Sequence, residues 1–504
     1  MKYFVRAAAI LLLSGVVVGQ SDPAAQAARR WRQQHERQIV DELIAFTALP
    51  NVTGDRQNLL RNVEYLAGML EKRGITPTRV SVPGGTPVVV GEVRAAGAAR
   101  TIVFYAHYDG QPLDPREWTT PPFEPVLRNR SIEAGGRVIP LPQAGLRFDP
   151  ESRLYARSVA DDKAPIVAML SALDALRASG QQPKANIKFV FEGEEESSSV
   201  NLEKTIAGNR DLFAGDVWLI CDGPVYPTRQ QSVIFGSRGT QVFDITVYGP
   251  RVELHSGHYG NWAPNPALTL ARLLTSMKDA KDHVLIDGFY DQVEPLGPLE
   301  RDAIARAPII DRDLMRDLWL GAADGQPATI NELIARPSLN IRGIASARIG
   351  SLATNVIPST ATATLDIRLV KAMDVVRTQD LVRAHLRRQG FFIVDTDPTP
   401  EIRRAHPQVA KLVFRPGVAA SRTRMDLPIS QEVIRVVEGA RGDVVKLPTM
   451  GGQVPLEAIE RPLGTTTIVV PMVNHDNNQH SFDENLRIQN LWDGIELMAA
   501  LLAM

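Results

Sequence analysis

The stretch NIKFVFEGEEESSS, residues 186–199, runs from an apolar segment straight into three consecutive glutamates. A charge run taken alone reads as a solvated turn. Its first half, NIKFVF, has the length and composition of a strand buried on both faces. The same pattern recurs in PVVVGEV (87–93), TIVFYA (101–106), DVWLIC (216–221) and TTTIVVPMV (465–473). Helical periodicity separates several of these runs, most clearly in APIVAMLSALDALRASG (164–180), which stops at Gly180. Residues 28–48 and 57–73 carry two further helical patterns. Continuous apolar strands alternating with helices predict an α/β fold with a mainly parallel sheet covered on both faces.

The middle of the chain has a different texture. QVFDITVYG (241–249) and TATATLDIRL (360–369) alternate apolar and polar residues, so Thr362, Thr364, Asp366 and Arg368 share one open face. Helical patterns at 265–280 and 372–390 are placed to cover the opposite face. These features predict an α+β domain inserted at 238–420 into a first domain formed by residues 26–237 and 421–504. Residues 281–340, punctuated by proline, are left unplaced.

Length and composition narrow the function. With 504 residues and 44% hydrophobic side chains, the chain can bury a large core. Its 56 Lys and Arg balance 57 Asp and Glu, so no strong field draws it to nucleic acid or a membrane surface. Cys221 is the only cysteine, which excludes a disulfide framework and a cysteine-built metal site. At the N-terminus, Lys2 and Arg6 precede an apolar run from Ala7 to Gly19, the layout of a secretory leader assigned to residues 1–25. The run is shorter than the roughly 20 apolar residues of a spanning helix. Cleavage is expected after Gly19 or within Ala24–Ala27, giving an exported protein, periplasmic or secreted, with no membrane segment.

In a parallel α/β sheet, ligands bind where strands end. Here those ends carry His107-Tyr108-Asp109, Glu192 to Glu196, Asp222-Gly223 and the segment NHDNNQHSFDEN with His475 and His480, while Asp161-Asp162 precedes the helix near Ala164. Each alone has an ordinary explanation, such as a hydrogen-bonded pair, a helix cap or a turn. Together they crowd carboxylates that would repel one another unless a cation neutralised them. Imidazole and carboxylate suit zinc or another first-row divalent ion.

On these motifs the chain resembles the two-metal exopeptidase family of carnosinase-type dipeptidases, bacterial glutamate carboxypeptidase and aminoacylases. The matching segments are His107-Tyr108-Asp109, Asp161-Asp162-Lys163, Glu192 to Ser199, Asp222, LHSGHYG (254–260), RPSLNIRGI (336–344), NVIPSTATATLDIR (355–368) and HSFDEN with His480. His480 fits better than His475 because Glu484 follows at the family's spacing. Ala164 replaces a family glycine.

The resemblance implies two divalent ions, zinc with manganese or cobalt also suited, bridged by Asp161 and a water or hydroxide. His107 and Asp222 would complete one metal, and Glu196 and His480 the other. Asp109 would orient His107, and Glu195 would be the general base that deprotonates the bridging water. His255, on the inserted lid, would reach a partner subunit's site and stabilise the oxyanion, implying a homodimer, and Arg368 would grip a substrate carboxylate. Asn355 and Gln453 depart from a family threonine and serine at positions expected near the substrate. The implied activity is hydrolysis of an amide bond in dipeptides or short peptides with a free carboxylate. An N-acyl-amino-acid amidohydrolase or glutamate-type carboxypeptidase is the alternative, and a non-catalytic metal- or peptide-binding protein is a third reading.

Overall fold

The computed structural model describes residues 22–504. The apolar leader run lies outside the described residues. The first helix, Pro23–Thr47, starts inside the segment 1–25 assigned to the leader, because Asp22 caps it. The Asp22 carboxylate accepts from the N–H groups of Ala24 and Ala25, and its own N–H donates to Gly439. Ala24, Ala25, Ala27 and Ala28 are all buried.

The larger sheet has eight strands, in the spatial order Pro77–Val80, Val88–Val93, Asn186–Glu192, Thr101–His107, Val217–Ile220, Thr466–Val469, Ser232–Ile234 and Val445–Leu447. Its four central strands, from Asn186–Glu192 to Thr466–Val469, are mutually parallel, and the strand Val88–Val93 joins them antiparallel. The central strands are almost wholly buried, as their unbroken apolar runs require. Helices Pro23–Thr47, Ala164–Ala178 and Ile488–Leu502 cover one face, where Leu43, Leu170 and Ile495 enter a common core. Because the central strands point the same way, His107, Glu192 and the residues after Ile220 emerge at one edge. The predicted strand 465–473 ends at Val469, two residues before Pro471, whose missing N–H cannot extend a ladder.

A second sheet, of five strands, is ordered Ser338–Ala345, Thr360–Leu369, Gly239–Tyr248, Val409–Phe414 and Phe392–Val394. Along Gly239–Tyr248, buried and half-buried residues alternate without a break. Helices Pro266–Thr275 and Val375–Arg388 supply Leu270, Leu273, Val382 and Leu386 to a core separate from that of the first domain. Residues 281–340 contain three short helices, Pro298–Arg306, Asp311–Asp317 and Ile330–Ile334. They dock back on the first domain, with Ala307 and Ile310 packed against Tyr226 and Val445. Arg422 pairs with Glu294 and Glu300 at 2.9 and 3.0 Å and fastens this segment to the strand Ser421–Arg422. Among the described residues, no helix is long and apolar enough to cross a membrane.

Candidate metal centre

His107 is the last residue of its strand and is wholly buried. Its Nε2 lies 2.9 Å from Asp161 Oδ1 and 3.9 Å from Asp222 Oδ2. Its Nδ1 faces Asp109, 3.1 Å from the backbone oxygen and 3.4 Å from Oδ1. The other Asp161 oxygen, Oδ2, lies 3.0 Å from His480 Nε2, which is 3.4 Å from Glu196 Oε2. Asp161 thus presents one oxygen to each histidine, and every residue that sequence reasoning named as a metal ligand falls in this one cluster.

Local backbone geometry places these groups. After Glu192 the chain turns at Gly193, where a Cβ would come within 2.4 Å of the Tyr108 ring, so no larger residue fits. The single turn Glu195–Ser197 follows, and Ser198 and Ser199 take positive φ. The Asp109 carboxylate accepts from the N–H groups of both Glu195 and Glu196, at 3.2 and 3.1 Å. One anion therefore holds the turn and faces the His107 ring. Glu192 and Glu194 have structural partners. Glu192 accepts from the Tyr105 and Ser199 hydroxyls, and Glu194 from Thr86 N–H and Asn201 Nδ2. His480 itself sits at positive φ, as do Asn478 and Asp483.

Of three supporting residues, Gln111 and Arg157 carried no signal that singled them out, and Asp162 was noted as part of the Asp161-Asp162 pair without a role of its own. Gln111 donates to Glu196 Oε2 at 2.6 Å. Asp162 accepts from the His107 N–H and lies near Asp222, with its Oδ1 buried and unpartnered. Arg157 pairs with Glu484 at 2.9 Å. Glu484, noted only for its spacing from His480, also accepts from the N–H groups of Ser158, Ala160 and Asp161. It thereby ties the C-terminal segment to the loop that carries Asp161.

The electrostatics are those of a site built for cations. Burial, then the Asp161 charge, pushes Glu196 up to about 8 and Asp222 up to about 6. Desolvation, only partly offset by His107, raises Glu195 well above the ordinary carboxylate range. Burial and then Asp222 do the same to Asp162. Hydrogen bonding to Asp161 lifts His480 to about 9. Asp161 stays well below its usual value because His107 and His480 outweigh its burial. Two groups of side chains bring ligand atoms within 4.8 Å of one another, His107 with Asp162 and Asp222, and His107 with Asp161 and Glu196. Buried carboxylates around two imidazoles, with an orphaned aspartate oxygen among them, fit a pair of first-row divalent ions.

The inserted domain keeps its candidates apart from this cluster. His255 pairs with Val356 in the short antiparallel pairing of Leu254–His255 with Val356–Ile357, and Asn355 precedes it, its backbone oxygen accepting from Ser256 N–H. Both are exposed, and neither touches the metal cluster within the chain. Arg368 lies on the open face of its sheet, 3.3 Å from Asp366. Gln453 is half-buried in the loop after Met450, and Met450 pairs with Ser237 across an isolated bridge.

With this geometry, the profile of Peptidase family M20/M25/M40 matches residues 103–504, most of the chain and every metal-cluster residue. The chain belongs to this family. It is a peptidase, and its centre is that of an M20 metallopeptidase. It is 27% identical to the human Beta-Ala-His dipeptidase over 97% of this chain and 95% of that protein. It is 28% identical to the Cys-Gly metallodipeptidase of Saccharomyces cerevisiae over 92% of this chain and 95% of that one. Among solved structures, an M20 family metallo-carboxypeptidase from Sulfolobus solfataricus superposes with a TM-score of 0.76 at 24% identity, covering 92% of this chain and 98% of that one. Human carnosine dipeptidase 1 superposes with 0.74, also at 24% identity, covering 96% and 98%. The M20 fold of these structures accords with a sheet-based first domain carrying a second, inserted one.

Proposed function

We propose that this M20 peptidase is an exported dipeptidase that hydrolyses the amide bond of dipeptides or short peptides bearing a free carboxylate, and that it works as a homodimer. The observation that carries the reading is the Asp161 carboxylate, held with one oxygen against His107 and the other against His480. The full-length alignment with two dipeptidases supports the substrate class.

In this reading Asp161, His107, Asp222, Glu196 and His480 hold two ions, with Asp162 close to the first. Bound there, the ions supply Lewis-acid polarisation of the scissile carbonyl and a lowered pKa for the attacking water. Glu195 takes the water's proton as its oxygen attacks the carbonyl carbon. When the C–N bond breaks, the same carboxyl returns that proton to the leaving amine. Asp109 keeps the His107 ring and the Glu195–Glu196 turn in place. His255 of a second copy would donate to the oxyanion, in keeping with its exposure on the inserted domain.

Export rests on Lys2, Arg6 and the run Ala7–Gly19. Cleavage after Gly19 leaves the Asp22 cap whole, whereas cleavage within Ala24–Ala27 would remove it. Fractionation of cells expressing the full chain, followed by N-terminal sequencing of the product, tests both points. A mature chain that begins beyond Asp22, or one retained in the cytoplasm, would overturn them.

The activity is tested with the parent and Glu195→Gln side by side, reconstituted with zinc, manganese or cobalt. The panel contains free dipeptides, acylated amino acids and folate-like conjugates. The parent is expected to hold about two metals per chain and to cleave free dipeptides, while the variant binds metal and is inactive. Cleavage confined to acylated amino acids or conjugates would replace the dipeptidase reading, and metal binding with no cleavage would make this a binding protein.

A further inference from the structure

The segment 111–119 follows the strand end that carries His107 and Asp109, and it reaches both sides of the second ion's place, the one assigned to Glu196 and His480. Its start is fixed at Gly110, whose N–H donates to the Asn51 oxygen and whose own oxygen accepts from Thr53 N–H. Gln111 then donates to Glu196 Oε2 at 2.6 Å, and that same oxygen faces His480 Nε2. A carboxylate only accepts, so the amide nitrogen is the donor. At the far end, Thr119 gives both of its donors to Asp483, its N–H to Oδ1 at 2.9 Å and its hydroxyl to Oδ2 at 2.7 Å. Between the two ends lies only the single turn Pro115–Glu117. Among the described residues, every side-chain hydrogen bond that leaves this segment goes to Glu196 or to Asp483.

His480 is the cluster residue that most needs outside support. Its side chain is 54% exposed, whereas those of His107, Asp161, Asp222 and Glu196 are at most 9% exposed. Packing therefore does little to fix its ring. His480 and Asp483 also both sit at positive φ, a conformation that residues other than glycine keep only where their surroundings hold it. Asp483 is buried, and its two bonds to Thr119 supply part of that hold. Arg157 supplies more, because its guanidinium lies 5.0 Å from the Trp118 ring centroid and donates to the oxygen of Ser481, the residue after His480.

We propose that the segment 111–119 is a strap that holds Glu196 and His480 in place for the second ion, with Gln111 and Thr119 as its positioning residues. This rests on the two-ion reading above. Gln111 orients Glu196 directly, and Thr119 acts on His480 through Asp483. Partners of this kind fix a ligand's orientation and raise the affinity of the metal it binds. His107 and Asp222, on the other side, are held by burial and by Asp109, so loss of the strap falls on the second ion alone. The strap thereby sets the free-metal level at which the pair is complete.

The test uses the full protein loaded with manganese, whose electron paramagnetic resonance separates a lone ion from a spin-coupled pair. Parent, Gln111→Met and Asp483→Ala are titrated against a chelator at matched free manganese. Both variants are expected to hold the first ion as the parent does. They should hold the second about 10- to 100-fold more weakly, the loss that removal of outer partners generally causes. Each then shows the lone-ion signal where the parent still shows the pair. Their cleavage of a dipeptide that the parent hydrolyses should fall at limiting metal and return in excess metal, which a misshapen site would not do. If Asp483→Ala does not fold, Thr119→Val, which loses the hydroxyl donor and keeps the N–H, takes its place. A folded variant at either end that holds the second ion as tightly as the parent overturns the strap, as does equal weakening of both ions. A parent that never holds more than one ion overturns the two-ion reading and the strap together. A parent that cleaves no dipeptide while the variants lose the second ion keeps the strap and removes the dipeptidase reading instead.

Discussion

Asp109 has no direct place among the metal-facing atoms, yet it touches two of the chain's functional units at once. Its oxygens accept from Glu195 and Glu196 N–H, and one of them faces His107 Nδ1. Asp109→Asn keeps the shape and loses the charge. It is expected to weaken metal binding by about 10- to 100-fold, as loss of such outer partners generally does, and chelator competition would measure the loss. Glu484 makes the opposite kind of contact, fully buried and bonded to one guanidinium and three backbone N–H groups. Glu484→Ala should destabilise the fold by about 3–5 kcal/mol, because Arg157 is left buried and unpaired. Urea unfolding reads that change, and a loss under 1 kcal/mol would show the pair to be dispensable. The residues of the cluster were legible in the sequence because imidazoles and carboxylates recur where strands end, and the resemblance then supplied the ligand roles proposed for them. Gln111 was not, since an amide that steadies Glu196 looks like any glutamine beside a loop.

At the scale of elements, the loop 474–487 is held in shape by its own ion pairs. Asp476 meets Arg153 at 2.6 Å and Arg487 at 3.0 Å. Burial opposes the charge on Asp476, but the bond to Arg153 and the two guanidinium charges bring its pKa down to about 2. A depressed carboxylate stabilises the fold above the unfolded value near 3.8, and that contribution is lost as pH falls through about 2. The side chain is 40% exposed, so solvent screening reduces the effect. Asp476→Asn should therefore cost about 1 kcal/mol at neutral pH, with the difference from the parent closing between pH 4 and pH 2. Stability measured across that range would check it, and a gap constant down to pH 2 would exclude the ion pairs as its cause. Long elements were readable here because their periodicity repeats: Ala164–Ala178 and Thr360–Leu369 lie where the apolar pattern puts them. Residues 281–340 were not, because their helices are too short to show a period. Their only local signals are caps, such as Pro298 at a first turn and Thr329 with Glu332 reaching back to its N–H.

Across the whole molecule, His255 and the metal cluster do not meet within one chain, and the proposed dimer gives this a consequence. Glu195→Gln and His255→Ala should each be inactive alone. In mixed dimers, a Glu195 from one chain faces a His255 from the other, so one of two sites works. An equal mixture should recover about a quarter of parent activity if subunits pair at random. Assay of the two variants co-expressed, beside sedimentation of the parent, measures this. A mixture as inactive as its components would place His255 in the site of its own chain, and an active His255→Ala protein would place it outside catalysis.

The order of the chain has its own effect on timing. The strand Thr466–Val469 is inserted beside Val217–Ile220, inside the first sheet, and His480 and Glu484 follow it. A ribosome therefore completes the whole inserted domain before it delivers the last strand that the first domain is waiting for. Until then Asp161 has only one of its two histidines, and the loop around it lacks the carboxylate that gathers its N–H groups. The growing polypeptide carries most of a hydrolytic centre through synthesis without being able to use it.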